Sequence, residues 1–152
     1  MARHRIPQPQ RVRKIDGSFA WIDHRLLRSG YLQVMDHQDQ ALYLFLALAA
    51  DRHGVSFYRK EKICDILGLD WGPFEVARDR LMDLKLIAFA PYSALSPNGY
   101  YQLLPVDGRP PDYAQQAFVQ AQRRARDETV RHRNSRPPRR PDEIDPVAWV
   151  RS

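Results

Sequence analysis

The sequence predicts a mainly α-helical domain with a small β-hairpin, flanked by basic extensions. Three observations carry that expectation. Apolar residues in the stretch 63–87 recur at helical spacing on either side of a glycine. A strand–loop–strand pattern follows at once, over residues 86–104. The positive charge is concentrated at the two ends of the chain.

The chain has 152 residues, 43% of them hydrophobic, which suits one domain with a sizeable core. The start, Met-Ala-Arg-His-Arg, lacks the apolar segment of a secretory signal. The longest apolar run, residues 41–50, is too short to span a bilayer, so no membrane partner is expected. A single cysteine, Cys64, excludes an internal disulfide framework and suits a reducing cytoplasm. The net charge of +6 divides unevenly. Residues 1–14 carry +5, residues 15–108 carry −3, residues 109–140 carry +6 and residues 141–152 carry −2. The expected folded domain is therefore mildly acidic, and the cations sit in its extensions.

Residues 1–14 hold two prolines and little to bury, and read as a disordered basic arm. Phe19 and Trp21, two apart within residues 15–22, have the alternation of a short strand. Asp23 is placed to cap a small helix carrying Leu26 and Leu27 that stops near Gly30. Tyr31, Leu32, Val34 and Met35 add apolar surface to the same core. Asp36, with Asp39 three residues on in the place of a capping-box acid, opens the longest helix. The body of that helix is apolar nearly all round, which predicts a central buried element.

Residues 55–57 have strand composition. Ile63, Ile66 and Leu67 then share a helical face, and Gly68 can take the left-handed conformation that ends a helix. Asp70 offers a cap to a second helix with Pro73 in its first turn, burying Phe74, Ala77, Leu81 and Leu84. Two short amphipathic helices joined by a Gly-containing turn make a helix-turn-helix. Residues 86–90 and 100–104 are the paired strands, and the loop between them holds Tyr92 and Asn98 but no lysine or arginine.

Residues 105–111 read as a linker. Residues 109–133 form a basic amphipathic helix with a stripe of Ala114, Ala117, Phe118, Ala121 and Ala125. The stripe is too small to fold well alone; the helix could pack on the domain, pair with a second copy as a dimer element, or become ordered on nucleic acid. Residues 134–152 are a Pro/Arg-rich tail, disordered in expectation, ending in a short apolar peptide with Ile144, Val147 and Trp149. That peptide suggests either docking on a protein partner or folding back on its own domain.

The run L-G-L-D-x-x-x-F-x-x-A-x-x-x-L-x-x-L-x-L-I, from Leu67 to Ile87, resembles the helix-turn-helix of bacterial winged-helix proteins. The likeness is to transcription regulators and to plasmid or phage replication initiators, and it covers residues 19–104. In the family a short hydroxylic or acidic residue stands where Asp70 does, with a small residue at Ala77 and a closing Leu86-Ile87. The resemblance implies a winged-helix fold over residues 15–108, with the hairpin as the wing. It also implies a DNA-binding protein of transcription control or replication initiation, on a mobile element such as a plasmid, and a dimer on double-stranded DNA.

On that reading the second helix lies in the major groove, with Trp71, Arg78 and Arg80 the candidate contacts. Arg59, Lys60 and Lys62 would sit over the backbone. Arg3, Arg5, Arg11, Arg13 and Lys14 of the arm, and Arg123, Arg124 and Arg126 of the basic helix, would neutralise phosphates. Six such contacts give a log–log salt slope of roughly −5. Glu75 and Asp79 would repel a phosphate-rich partner, unless Glu75 reads cytosine. The family more often has serine, threonine or basic residues on this helix, where this chain has Trp71, Pro73 and two acids.

A second reading is a protein-interaction adaptor within a larger nucleic-acid complex. It is favoured by the acidic domain, the uncharged wing, Trp71 and the Trp149 peptide. An RNA-binding accessory that uses the arginine-rich extensions is a third. No catalytic residue, cofactor or metal site is expected. The five histidines are scattered, Cys64 falls at a core position, and Asp36 and Asp39 read as caps.

Overall fold

Cap chemistry and glycine placement divide the first part of the chain into short helices. The computed structural model describes residues 5–134. After a 3-10 turn at Pro9–Arg11 come α1 (Arg25–Arg28) and α2 (Tyr31–Val34). The Asp23 carboxylate accepts the Arg25 backbone N–H at 2.8 Å and pairs with its guanidinium. Gly30, at φ 86°, makes the left-handed turn between the two helices.

Next is α3 (His37–Ala49), whose capping box is complete. Asp36 accepts the Asp39 N–H at 2.9 Å, and Asp39 accepts the Asp36 N–H at 3.0 Å. The chain continues through β1 (Val55–Ser56), α4 (Lys60–Leu67), α5 (Trp71–Asp83), β2 (Ile87–Pro91), β3 (Gly99–Leu103) and α6 (Asp112–Asn134). The strands form one antiparallel sheet in the order β1-β3-β2, with Ile87 opposite Leu103 and Val55 opposite Gln102. The described chain is thus mainly helical with a small three-stranded sheet.

The core lies where α3, α4 and α5 meet the sheet. Leu42, Leu46, Ile63, Phe74, Ala77, Leu81, Leu86 and Tyr101 are each at most 1% exposed. Each large side chain among them contributes on the order of 1.5–3 kcal/mol by burial. Gly68 stops α4 at φ 64° and returns its N–H to the Cys64 carbonyl. Three residues later α5 begins, and its buried positions are the Phe74, Ala77, Leu81 and Leu84 that the spacing predicts.

Several expectations are corrected. Residues 15–22 form no strand, and Phe19 and Trp21 stay 60% and 82% exposed with their rings 5.8 Å apart. Two alternating aromatics beside Gly17 have no neighbouring strand to pair with. On α3 the outward Leu44 and Leu48 are exposed, so that helix is buried on one side only. It is also shorter than α6, at 13 residues against 23. On α4 the core face runs through Lys60, Ile63 and Cys64, which turns Ile66 to solvent.

Asp70 occupies the N-cap position of α5 but its side chain accepts no cap bond. Pro73, the third residue of that helix, has no N–H to donate to it. Residues 105–111 are a packed segment instead of a linker. Val106 and Pro110 are buried, and the Tyr31 hydroxyl donates to the Asp107 carbonyl at 3.2 Å. Arg3, the 135–152 tail with Ile144, Val147 and Trp149, and the Phe118 side chain lie outside the described residues.

Candidate functional site

The helical spacing of α5 sorts its side chains into three rows. Phe74, Ala77, Leu81 and Leu84 face the core. Gly72, Glu75, Val76, Asp79 and Asp83 run along the opposite, exposed side. That outer row carries three carboxylates and no cation. Arg78 and Arg80 fall on the flanks, where neighbouring elements engage them.

Arg80 is turned toward the start of α3. Its guanidinium donates to Asp36 at 2.6 Å and to the buried Asp39 at 2.8 Å. Burial pushes the Asp39 carboxyl up, against the pull of Arg80 and of the Asp36 N–H. Asp36 is more open, and the bonds to the Asp39 N–H and to Arg80 bring its carboxyl below the ordinary range in spite of its partial burial. Arg78 lies 5.5 Å from the Phe89 ring and pairs with Asp79 at 3.1 Å, its side chain 21% exposed.

Lys60 is 7% exposed, its ammonium 4.4 Å from the Trp71 ring and 3.5 Å from Glu75. Its position is fixed from the hairpin loop. The Asn98 side chain accepts the Lys60 backbone N–H at 2.8 Å and donates to Glu61 at 3.3 Å. The loop is itself held by the Tyr92 hydroxyl, which donates to the Phe57 carbonyl at 2.7 Å, and by the edge-on packing of Tyr92 on Tyr100. The starts of α4 and α5 and the hairpin loop are thereby locked into one face. At its surface are Trp71, 55% exposed, and Glu75.

Lys60, Arg78 and Arg80, the residues expected at phosphate or base edges, each pair with a carboxylate within the domain. Arg59 and Lys62 are exposed at the start of α4, as a backbone-contacting role requires. Helical spacing carried a signal for Lys60, which lies three and four residues before the core positions Ile63 and Cys64. For Arg80 the partners are 41 and 44 residues away, and no local pattern names them.

In the extensions, Arg5, Arg11, Arg13 and Lys14 are exposed, as are Arg123, Arg124 and Arg126 on α6. The first turns of α6 are anchored on the domain. The Tyr113 hydroxyl donates to the Asp83 carbonyl at 2.9 Å, and Ala114 packs against the core. The alanine stripe lines a groove that α6 shares with Met35 and Leu84. Of the stripe, Ala114 packs on the domain, while Ala117, Ala121 and Ala125 stay exposed along that groove.

Cys64 is buried, which pushes its thiol up and away from the reactive thiolate form. Among the described residues no cluster of three His, Cys, Asp or Glu side chains is placed to hold a metal ion. No helix among them is long and apolar enough to cross a membrane. Set beside known proteins, the chain matches no family model, no curated protein and no solved structure.

Proposed function

We propose that the chain is a winged-helix adaptor within a nucleic-acid complex. In this reading α4, the Gly68 turn and α5 are its helix-turn-helix, and the β2–β3 hairpin is its wing. The outer face of α5 docks a protein, while the arginine-rich extensions hold nucleic acid without reading its sequence. One observation carries the reading, the outer row of Gly72, Glu75, Val76, Asp79 and Asp83. A recognition helix in the major groove turns donors and cations to base edges and phosphates. That row presents three carboxylates instead, Glu75 and Asp79 paired with Lys60 and Arg78, so it offers acceptors and no cation to a duplex. Together with the exposed Trp71, and with Ile66 open on α4, they offer the mixed apolar and acidic surface of a protein contact.

The extensions supply what the domain lacks. Their cations are exposed, and phosphate neutralisation along them gives salt-dependent affinity without sequence information. A second reading, direct DNA recognition in transcription control or replication initiation, is favoured by exposed Arg59 and Lys62, which flank the same face.

Selection of bound duplexes from a random pool by the full chain separates the two. The adaptor reading expects no consensus to be enriched. A consensus that Trp71→Ala and Val76→Glu abolish would establish groove reading by α5 in its place.

A further inference from the structure

Helices α1, α2 and α3 enclose an apolar groove of about 550 Å³. Ile22, Leu26, Leu27, Leu32, Met35 and Leu44 line it. Four of them are left open to solvent for want of a partner, Leu27 at 70%, Leu44 at 48%, Ile22 at 45% and Leu32 at 37%. Asp23, His24 and Arg28 stand on its rim. Asp23 is paired with Arg25 at 2.7 Å, which leaves Arg28, with no ion pair among the described residues, as the charge at that edge. The groove is thus an apolar trough with a basic edge.

We infer that this groove docks the chain's own segment 142–150, D-E-I-D-P-V-A-W-V. The chemistry of the two is complementary. The segment carries Ile144, Val147, Trp149 and Val150 for the trough, and Asp142, Glu143 and Asp145 for the basic edge. A tryptophan buries 150–250 Å² when it finds such a site, on the order of the largest single contribution a short peptide makes. The reach is also adequate. Met35, at the end of α2, lines both this groove and the open one walled by α6, so the two are neighbours. From the end of α6 at Asn134, ten residues rich in Pro and Arg lead to Ile144 and span up to about 31–36 Å. The 23 residues of α6 span about 34 Å, and its first half already lies along the domain.

The test uses the full chain and a fluorescently labelled peptide of residues 141–150. Trp149→Ala frees the groove of its own segment, and this variant binds the peptide saturably in an anisotropy titration. The unsubstituted chain binds it several-fold more weakly, because its own segment competes. Adding Leu27→Glu or Leu44→Glu to the Trp149→Ala chain abolishes binding. Both leucines point to solvent, so the fold survives either change, and unchanged circular dichroism confirms it. The inference is overturned if the Trp149→Ala chain does not bind the peptide, or if it binds no better than the unsubstituted chain. Binding that survives both groove substitutions overturns it as well.

Discussion

The Arg80 guanidinium lies 2.8 Å from the Asp39 carboxylate, a pair that ties the first turn of α3 to the last turns of α5. Asp39 is 1% exposed and Arg80 39%. Arg80 therefore holds α5 to the helix behind it. Removing it strands a buried charge. Arg80→Ala should cost about 2–3 kcal/mol at neutral pH, below the roughly 3–5 kcal/mol of a fully buried pair because Arg80 is partly solvated.

That loss should depend on pH in a definite direction. Without Arg80, burial and the neighbouring Asp36 charge act on Asp39 against the Asp36 N–H bond alone, and its carboxyl rises further above the unfolded value. A raised acid contributes stability below the unfolded pKa and loses it as pH rises through the folded pKa. The deficit of Arg80→Ala relative to the unsubstituted chain should therefore shrink as pH falls from 7 toward about 4. Urea unfolding at the two pH values measures it, and a deficit that grows in acid would contradict the pairing.

Asn98 reaches from the hairpin loop to accept the Lys60 N–H, doing for α4 what an N-cap side chain does. Arg59, at the N-cap position itself, makes no such bond. Asn98→Ala should destabilise the chain by about 1 kcal/mol. Thermal unfolding would register it, together with faster amide exchange at the start of α4.

Gly99 is required by proximity rather than by its backbone angles. A Cβ there would lie 2.1 Å from the Ala90 carbonyl oxygen and 2.6 Å from the Pro91 Cα, both backbone atoms that cannot move aside cheaply. Gly99→Ala should therefore separate β2 from β3 at the loop end, at a cost of about 2 kcal/mol or more. The readout is loss of amide protection at Tyr92, whose N–H donates to the Asn98 carbonyl across that end.

Much of the fold was legible because its signals are local. The 3, 4, 3 spacing of Phe74, Ala77, Leu81 and Leu84 fixes the buried face of α5, and Gly68 fixes where α4 stops. Asp36 and Asp39 announce the start of α3. The strands were placed to within a residue. What was not legible depends on pairs distant in sequence. Phe19 and Trp21 alternate like a strand, but only the rest of the sheet decides that no edge takes them. The same limit applies to the site. Arg59 and Lys62 are as exposed as expected, whereas the fates of Arg78 and Arg80 were set by Phe89, Asp36 and Asp39. Asp79 beside Arg78 was visible, but not which of the two would face outward.

Trp71 and Lys60 should be separable in stability and binding. The ring is half open, and a cation–π contact of this kind contributes about 0.5–1 kcal/mol. Trp71→Ala should therefore unfold only slightly more readily than the unsubstituted chain, about 1 kcal/mol by urea titration. A loss several times larger would make Trp71 a structural residue instead of a docking one.

The division of labour between domain and extensions is tested most directly by duplex-DNA binding of the full chain across a salt series. One variant replaces Arg5, Arg11, Arg13, Arg123, Arg124 and Arg126 with glutamine, and a second makes the Trp71→Ala and Val76→Glu changes on the α5 face. The first should lose at least about tenfold in affinity on every sequence, with a shallower salt slope. The second should stay within about twofold of the unsubstituted chain, since its changes leave the phosphate-neutralising cations in place. If the first variant keeps sequence-dependent binding and the second loses it, α5 reads DNA and the adaptor account is wrong.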